Sequence, residues 1–360
     1  MVEPRGSQMT IQLGRGPAPY AIGAESLGWG LCGASTASAH IIPAIRAQTA
    51  QPERSAIADA WVTALHSHSL WRARQFADRH AIPHALTDLQ ELLARHDVRI
   101  VYVGNHPRHH ASTVLAALRA GKHVLCEPPL ALSEEEARFL AASATDRGLI
   151  LAVNYHNRGD AAIQHVWQMI GNGDIGDILG GRIRNAVLLG VPQQTWRLQS
   201  LGGGVLLDRT LHSFDLLRFL CTDEIAEVFA MAGPNILGRE VEEDVLTNVR
   251  MRRSGAVFHL HDSFTLPHAP TSVEIYGTAA VLAASHCLDE EMSTLRVWRG
   301  KIAYERPLAP VNSLTASVAA MVTAVRGYGQ PLANAEDGIT SLKAALITRQ
   351  SLQRGVRVAV

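Results

Sequence analysis

The chain lacks a net charge: over 360 residues, 33 lysines and arginines balance 33 aspartates and glutamates. Such a balance leaves no global field to draw nucleic acid or an anionic membrane, so the expected partner is a small molecule. Cysteine is scarce. Cys32, Cys126, Cys221 and Cys287 show none of the paired spacings of a disulfide framework or a zinc site, which suits a reducing, cytoplasmic setting. No apolar run approaches the roughly 20 residues of a membrane span. Residues 1–26 read as a flexible arm, rich in Pro, Gly and Arg and without the apolar stretch of a secretory signal. Aromatics make up only 5% of the chain, whereas histidines number 17, so no single histidine marks a site by itself.

From residue 27 to 153, short apolar runs alternate with segments of helical period. The runs are 28–32, 60–66, 99–104, 123–127 and 149–154; the helical segments include 71–80, 110–120 and 133–147. Strand, helix, strand at this spacing predicts a doubly wound parallel sheet, a dinucleotide-binding Rossmann unit. The first strand runs into Gly33-Ala-Ser-Thr-Ala-Ser38, the place for a phosphate-binding turn. Gly33, Ser35, Thr36 and Ser38 are its candidate residues, with serines where second and third glycines would stand. At the end of the second strand an acidic residue is missing. None lies between Asp59 and Asp78, where an NAD site would place a carboxylate for the ribose; Ser67 and Arg72 stand there instead. A hydroxyl and a guanidinium suit a 2′-phosphate, which points to NADP(H) over NAD(H). The same residues would also serve as the basic, solvated start of an ordinary helix.

Residues 154–360 have a different texture. A helix over 161–170, a long strand over 178–189, a helix over 202–215 and strands at 226–232, 246–251, 256–264, 272–276 and 280–284 predict an α/β domain built on a large, mostly antiparallel open sheet. Segments 316–326 and 338–353 read as closing helices. Asn154, Tyr155, His156 and Arg158, directly after a strand of the first half, and Trp196-Arg197 are expected to face the cleft; Asn154, His156, Arg158 and Trp196 are the candidate substrate contacts.

Asp208, His212 and Asp215 fall at offsets 0, 4 and 7 of the predicted 202–215 helix, hence on one face. A carboxylate one turn before a histidine can fix its tautomer and tune a group that titrates near neutrality, which makes His212 with Asp208 a candidate acid/base pair. Two other readings are a buried histidine satisfied by a neighbour and a metal site of one histidine and two carboxylates. No second cluster with ligand spacing supports the metal.

These residues, with Ala120-Gly-Lys-His-Val-Leu-Cys-Glu127, Tyr276-Gly-Thr278 and Glu336-Asp-Gly338, resemble the Gfo/Idh/MocA family of oxidoreductases from Gly28 to the end of the chain. The resemblance implies hydride transfer between NADP(H) and a carbonyl or alcohol of a sugar-like or cyclitol-like molecule, and a homo-oligomer, dimer or tetramer, formed through the second sheet. It implies that Asn105, His106, His110, Glu127, Pro128 and Arg197 border the nicotinamide half, and that Asp208 and His212 are the catalytic pair. The family lysine after Glu127 is missing, replaced by Pro128; Lys122, at the other end of the strand, should not reach in its place. That loss keeps two further readings open: a lyase or hydrolase acting through transient oxidation by a retained nucleotide, and a non-catalytic sensor.

Overall fold

The computed structural model describes residues 27–48, 60–238, 240–269, 271–287, 293–309 and 311–360; the arm expected over 1–26 lies outside them. Six parallel strands, β1 (Leu27–Cys32), β2 (Ala60–His66), β3 (His84–Leu86), β4 (Ile100–Val103), β5 (His123–Cys126) and β6 (Leu151–Val153), form one sheet in the order 3-2-1-4-5-6. Helices α1 (Thr36–Ala47), α2 (Leu70–Arg79), α3 (Leu89–Ala94), α4 (His110–Arg119) and α5 (Glu134–Thr145) connect them. Strands covered on both faces need apolar residues at every position, and β1 and β4 are buried throughout. The two halves of the sheet wind outward from β1 and β4, and right-handed crossovers send α1 and α4 to opposite faces. A crevice therefore opens between the ends of these two strands.

Nine strands form the second sheet: β7 (Ile178–Ala186), β8 (Ile225–Ala232), β9 (Asp244–Met251), β10 (Val257–Ser263), β11 (Ser272–Gly277), β12 (Val281–Ser285), β13 (Ser293–Arg299), β14 (Ile302–Leu308) and β15 (Val358–Ala359). Their order is 14-13-12-11-7-10-9-8-15, and every pairing is antiparallel except β7 with β10. Helices α6 (Ala161–Gly171), α7 (Leu211–Cys221) and α9 (Ala335–Arg354) bury one face, where Phe214 and Leu217 join a core with Ile183, Phe258 and Leu260. The other face is polar. Glu274, Arg182, His259 and Asn248 form a row in register across four strands, with Arg182 donating to Glu274 at 2.6 Å. Helix α8 (Ser313–Val325) crosses back to the first sheet, where Val318, Met321 and Val322 pack with Trp29, Leu31 and Ile42. Among the described residues no helix is long and apolar enough to cross a membrane.

Candidate active site

Gly33 ends β1 at φ +112°, a conformation that L side chains rarely adopt; a Cβ there would stand 2.8 Å from the N and Cα of Asn105. Hydrogen bonds from Gly33 N to His66 O (2.9 Å) and from Gly104 N to Cys32 O (3.0 Å) tie the ends of β1, β2 and β4 together. Ser35 caps α1, its Oγ accepting from Ser38 N at 3.1 Å. Ser35 is half-buried and Thr36 exposed, but Ser38 is fully buried beneath the turn rather than presented at its surface. At the end of β2, Ser69 caps α2, and Arg72 lies exposed on that helix's first turn, with no ion pair to any described residue.

Beyond β4 and β5 the polar groups are anchored more firmly. Asn105 Nδ2 donates to Thr113 Oγ1 (2.9 Å), while Asn105 Oδ1 is buried without a partner; His106 Nδ1 accepts from Arg108 N at 3.2 Å, and the ring also meets the Gln199 side chain. The His110 ring lies between Pro129 O (2.7 Å) and Asn105 O (3.1 Å), so it links the loops after both strands from inside the protein instead of facing the cleft. Glu127 Oε1 accepts from both Tyr102 Oη and Asn154 Nδ2, each at 2.6 Å, and burial pushes the carboxyl above its ordinary range. Asn154, expected at the substrate, is fully buried and accepts from Ser317 Oγ of α8 at 2.6 Å; it holds Glu127 in place. Pro128–Pro129 is a cis peptide. Lys122 Nζ donates to the carbonyls of Arg95 and Val98 at 2.8 Å, at the far end of β5.

The 202–215 segment is not one α-helix. A π-helical turn, Leu206–Thr210, precedes α7. Asp208 lies in this wide turn and accepts from Arg197 Nε at 3.1 Å, with the Arg197 guanidinium 4.6 Å above the Trp196 ring. His212 Nδ1 is buried with no partner, so the expected Asp208–His212 pairing is absent. The His212 ring stands edge-on to Tyr155 (5.4 Å) and near His156 (6.1 Å), whose Nδ1 is 2.8 Å from Ser313 Oγ. Burial, reinforced by Arg209, lowers His212 to about 4, and burial with His212 lowers His156 to about 3, leaving both rings neutral at pH 7.

Arg158, expected in the cleft, is a buried clamp instead. It donates to Asp215 at 2.8 and 2.6 Å and to Leu332 O at 2.8 Å, and lies 2.9 Å from Asp337, joining the chain after β6 to α7 and α9. Sequence reading missed Tyr102, Ser313 and Ser317. A lone hydroxyl inside the apolar run Ile-Val-Tyr-Val was the available signal for Tyr102, because a buried phenol needs a partner.

Contacts border the crevice on both sides. One series runs from His66 through His68, His109 and His106 to Trp196, Arg197 and Asp208; the other runs from Glu127 through Asn154 and Tyr155 to His212. The unpartnered buried Asn105 Oδ1, a glycine turn with no room for a side chain, and the N-terminus of α1 fit a dinucleotide. Among the described residues no group of histidine, cysteine or acidic side chains could hold a metal ion.

Residues 27–155 match the model described as "Oxidoreductase family, NAD-binding Rossmann fold", and 163–283 match the GFO/IDH/MocA C-terminal domain. The chain is 36% identical over 332 residues to 1,5-anhydro-D-fructose reductase of Ensifer adhaerens, covering 91% of this chain and 96% of that one. It is 32% identical over 228 residues to human trans-1,2-dihydrobenzene-1,2-diol dehydrogenase, covering 61% and 63%. Among solved structures, aldose-aldose oxidoreductase of Caulobacter crescentus, complexed with glycerol, superposes with a TM-score of 0.83 at 21% identity, over 93% of this chain and all of that one. Levoglucosan dehydrogenase in complex with NADH gives 0.82 at 20% identity, over 93% and 99%. At these identities the structural likeness is one of fold. The matched models, which together span more than half of the chain, and the full-length reductase relative carry the assignment: the protein belongs to the Gfo/Idh/MocA family of oxidoreductases, with an NAD(P)-binding Rossmann sheet.

Proposed function

We propose that the protein is a cytoplasmic NADP(H)-dependent oxidoreductase that moves a hydride to or from a carbonyl or alcohol carbon of a sugar-like or cyclitol-like substrate, with His212 exchanging the proton. The observation that carries this reading is the His212 ring, neutral at pH 7 and with a nitrogen free of partners, set against Tyr155 and His156 at the exit of β6. A neutral imidazole can take the hydroxyl proton as an alcohol is oxidised and return it in the reverse direction. When bound, the nicotinamide supplies the site that accepts or gives the hydride.

The chain's own residues divide the remaining work. The Gly33 turn, Ser35, Thr36 and the N-terminus of α1 hold the pyrophosphate, and Ser67 with Arg72 hold the 2′-phosphate. Asn105, His106, Arg197 and Glu127 border the nicotinamide half, and Trp196 and His156 line the substrate's approach. Asp208 steers Arg197 rather than His212. With Pro128 where the family has a lysine, one positioned acid is missing, a loss worth about two to four powers of ten in rate, which leaves His212 as the proton-exchanging group. The division into units at 153/154 and an oligomer, dimer or tetramer, formed through the polar face of the second sheet complete the proposal.

The test combines titration with NADPH and NADH and a turnover assay on 1,5-anhydro-D-fructose and related anhydrosugars. His212→Gln should retain nucleotide affinity and lose turnover by at least a hundredfold, in line with the roughly 10²–10⁴ contributed by general acid/base groups. Unchanged turnover removes His212 from the mechanism. A nucleotide that stays bound through purification, with no net redox change in substrate, would favour the lyase or hydrolase reading.

A further inference from the structure

Four imidazoles stand in edge contact across the mouth of the crevice. His66, the last residue of β2, meets His68 at a ring separation of 5.1 Å, His68 meets His109 at 5.8 Å, and His109 meets His106 at 6.2 Å. His68 and His109 leave from β2 and β4, the strands on either side of β1, so their contact spans the end of β1, where Gly33 turns the chain toward α1. The turn is tied to the row directly, Gly33 N donating to His66 O at 2.9 Å. His66 is only 4% exposed and hydrogen-bonds to the backbone of Thr87, and His106 meets the Gln199 side chain.

The charged groups around the row are predominantly cationic. Arg108 Nε donates to His109 Nε2 at 3.0 Å, Arg72 stands on the first turn of α2, His110 lies behind His106 and His109, and Arg197 lies beyond Trp196. The carboxylate acting on His66 is Asp88, from the segment between β3 and α3.

We propose that this row is a proton-linked phosphate site, in which His109 takes up a proton from solvent at Nε2 as the nucleotide's phosphates settle beside it and draw the Arg108 guanidinium off that nitrogen. The proposal rests on reading the crevice as a nucleotide site but not on the choice between NADPH and NADH. In the free protein, burial, Arg108 and His68 hold His109 below the ordinary imidazole value; burial, then His68, do the same to His66. A phosphate dianion favours the charged ring, so the ring's pKa rises on binding and a proton is absorbed. By linkage, affinity then strengthens as pH falls, up to about tenfold per pH unit for each proton taken up.

Calorimetry of the full chain with NADPH and with NADH at pH 7, in buffers of different ionisation enthalpy, counts those protons. His109→Gln keeps hydrogen bonding but cannot titrate in this range, and the site is half-buried, so the fold tolerates it. The parent should absorb roughly half a proton or more per nucleotide, and the variant less than half of that, with its affinity loss greater at pH 6.5 than at 8.5. A phosphomonoester ionises near pH 6, but NADH carries none, so uptake measured with NADH counts the protein's protons alone. Equal uptake by parent and variant, or none by the parent, overturns the proposal. The NADPH-to-NADH affinity ratio reads cofactor choice separately: tighter NADH binding with histidine-dependent uptake would sink the NADP(H) preference and sustain the proton-linked site.

Discussion

Replacing Arg158 with methionine separates a scaffold role from substrate binding. The Arg158 side chain is 9% exposed and satisfies Asp215, itself 2% exposed, together with Asp337 and Leu332 O. Without the guanidinium, Asp215 keeps its burial and loses its bidentate partner. Stranding one member of a buried pair costs about 3–5 kcal/mol. For a chain of this size that is about a 4–7 °C drop in Tm, measured by circular dichroism or differential scanning fluorimetry. The pH dependence has a definite sign. Burial already raises the Asp215 carboxyl from 3.8 to about 6, and removing Arg158 pushes it higher. A carboxyl whose folded value lies above its unfolded one destabilises the fold at neutral pH, and the penalty shrinks as pH falls through the folded value. The gap between variant and parent should therefore narrow from pH 7.5 to pH 5. A Tm within about 2 °C of the parent, together with a raised KM for the sugar, would return Arg158 to the substrate pocket and refute the clamp.

Two further outcomes follow from the site. Arg72→Ala should weaken NADPH binding about 10- to 100-fold, the worth of one or two charge-assisted hydrogen bonds, and leave NADH within about threefold; equal loss of both in a fluorescence titration would remove Arg72 from the 2′-phosphate. With His212 lowered to about 4, kcat/KM for alcohol oxidation should hold steady from pH 8 down to about 5 and fall below that, as the ring gains its proton in the free protein. An acid limb near pH 7 would assign the base to another group.

The first sheet was readable because strands covered on both faces are unbroken apolar runs. β3 and α3, of three and six residues, are too short to display a period. In the second sheet the alternation in β9 and β10 marks one buried face. β13 alternates as well and was open to the same reading, but β14 is exposed at every residue except its last and leaves no pattern to find. The strand expected to reach Leu189 stops at Ala186. α8 was legible as a helix, but its return to the first sheet was not, since an apolar stripe does not say which core it joins.

The Asp208, His212 and Asp215 spacing misled for a more general reason. Offsets 0, 4 and 7 place three residues together only if the helix keeps 3.6 residues per turn, and a π-helical turn interrupts it here. Spacing also cannot rank competing partners. Arginine is always charged and offers several donors in a fixed fork, whereas a buried imidazole must first pay to become charged. Once the fold brings Arg158 to Asp215 and Arg197 to Asp208, both carboxylates are taken by guanidiniums from distant segments. His212 is left without a carboxylate, its Nδ1 buried and unpartnered and its ring held below the ordinary imidazole value by burial and Arg209, so the pairing that the spacing suggests does not form.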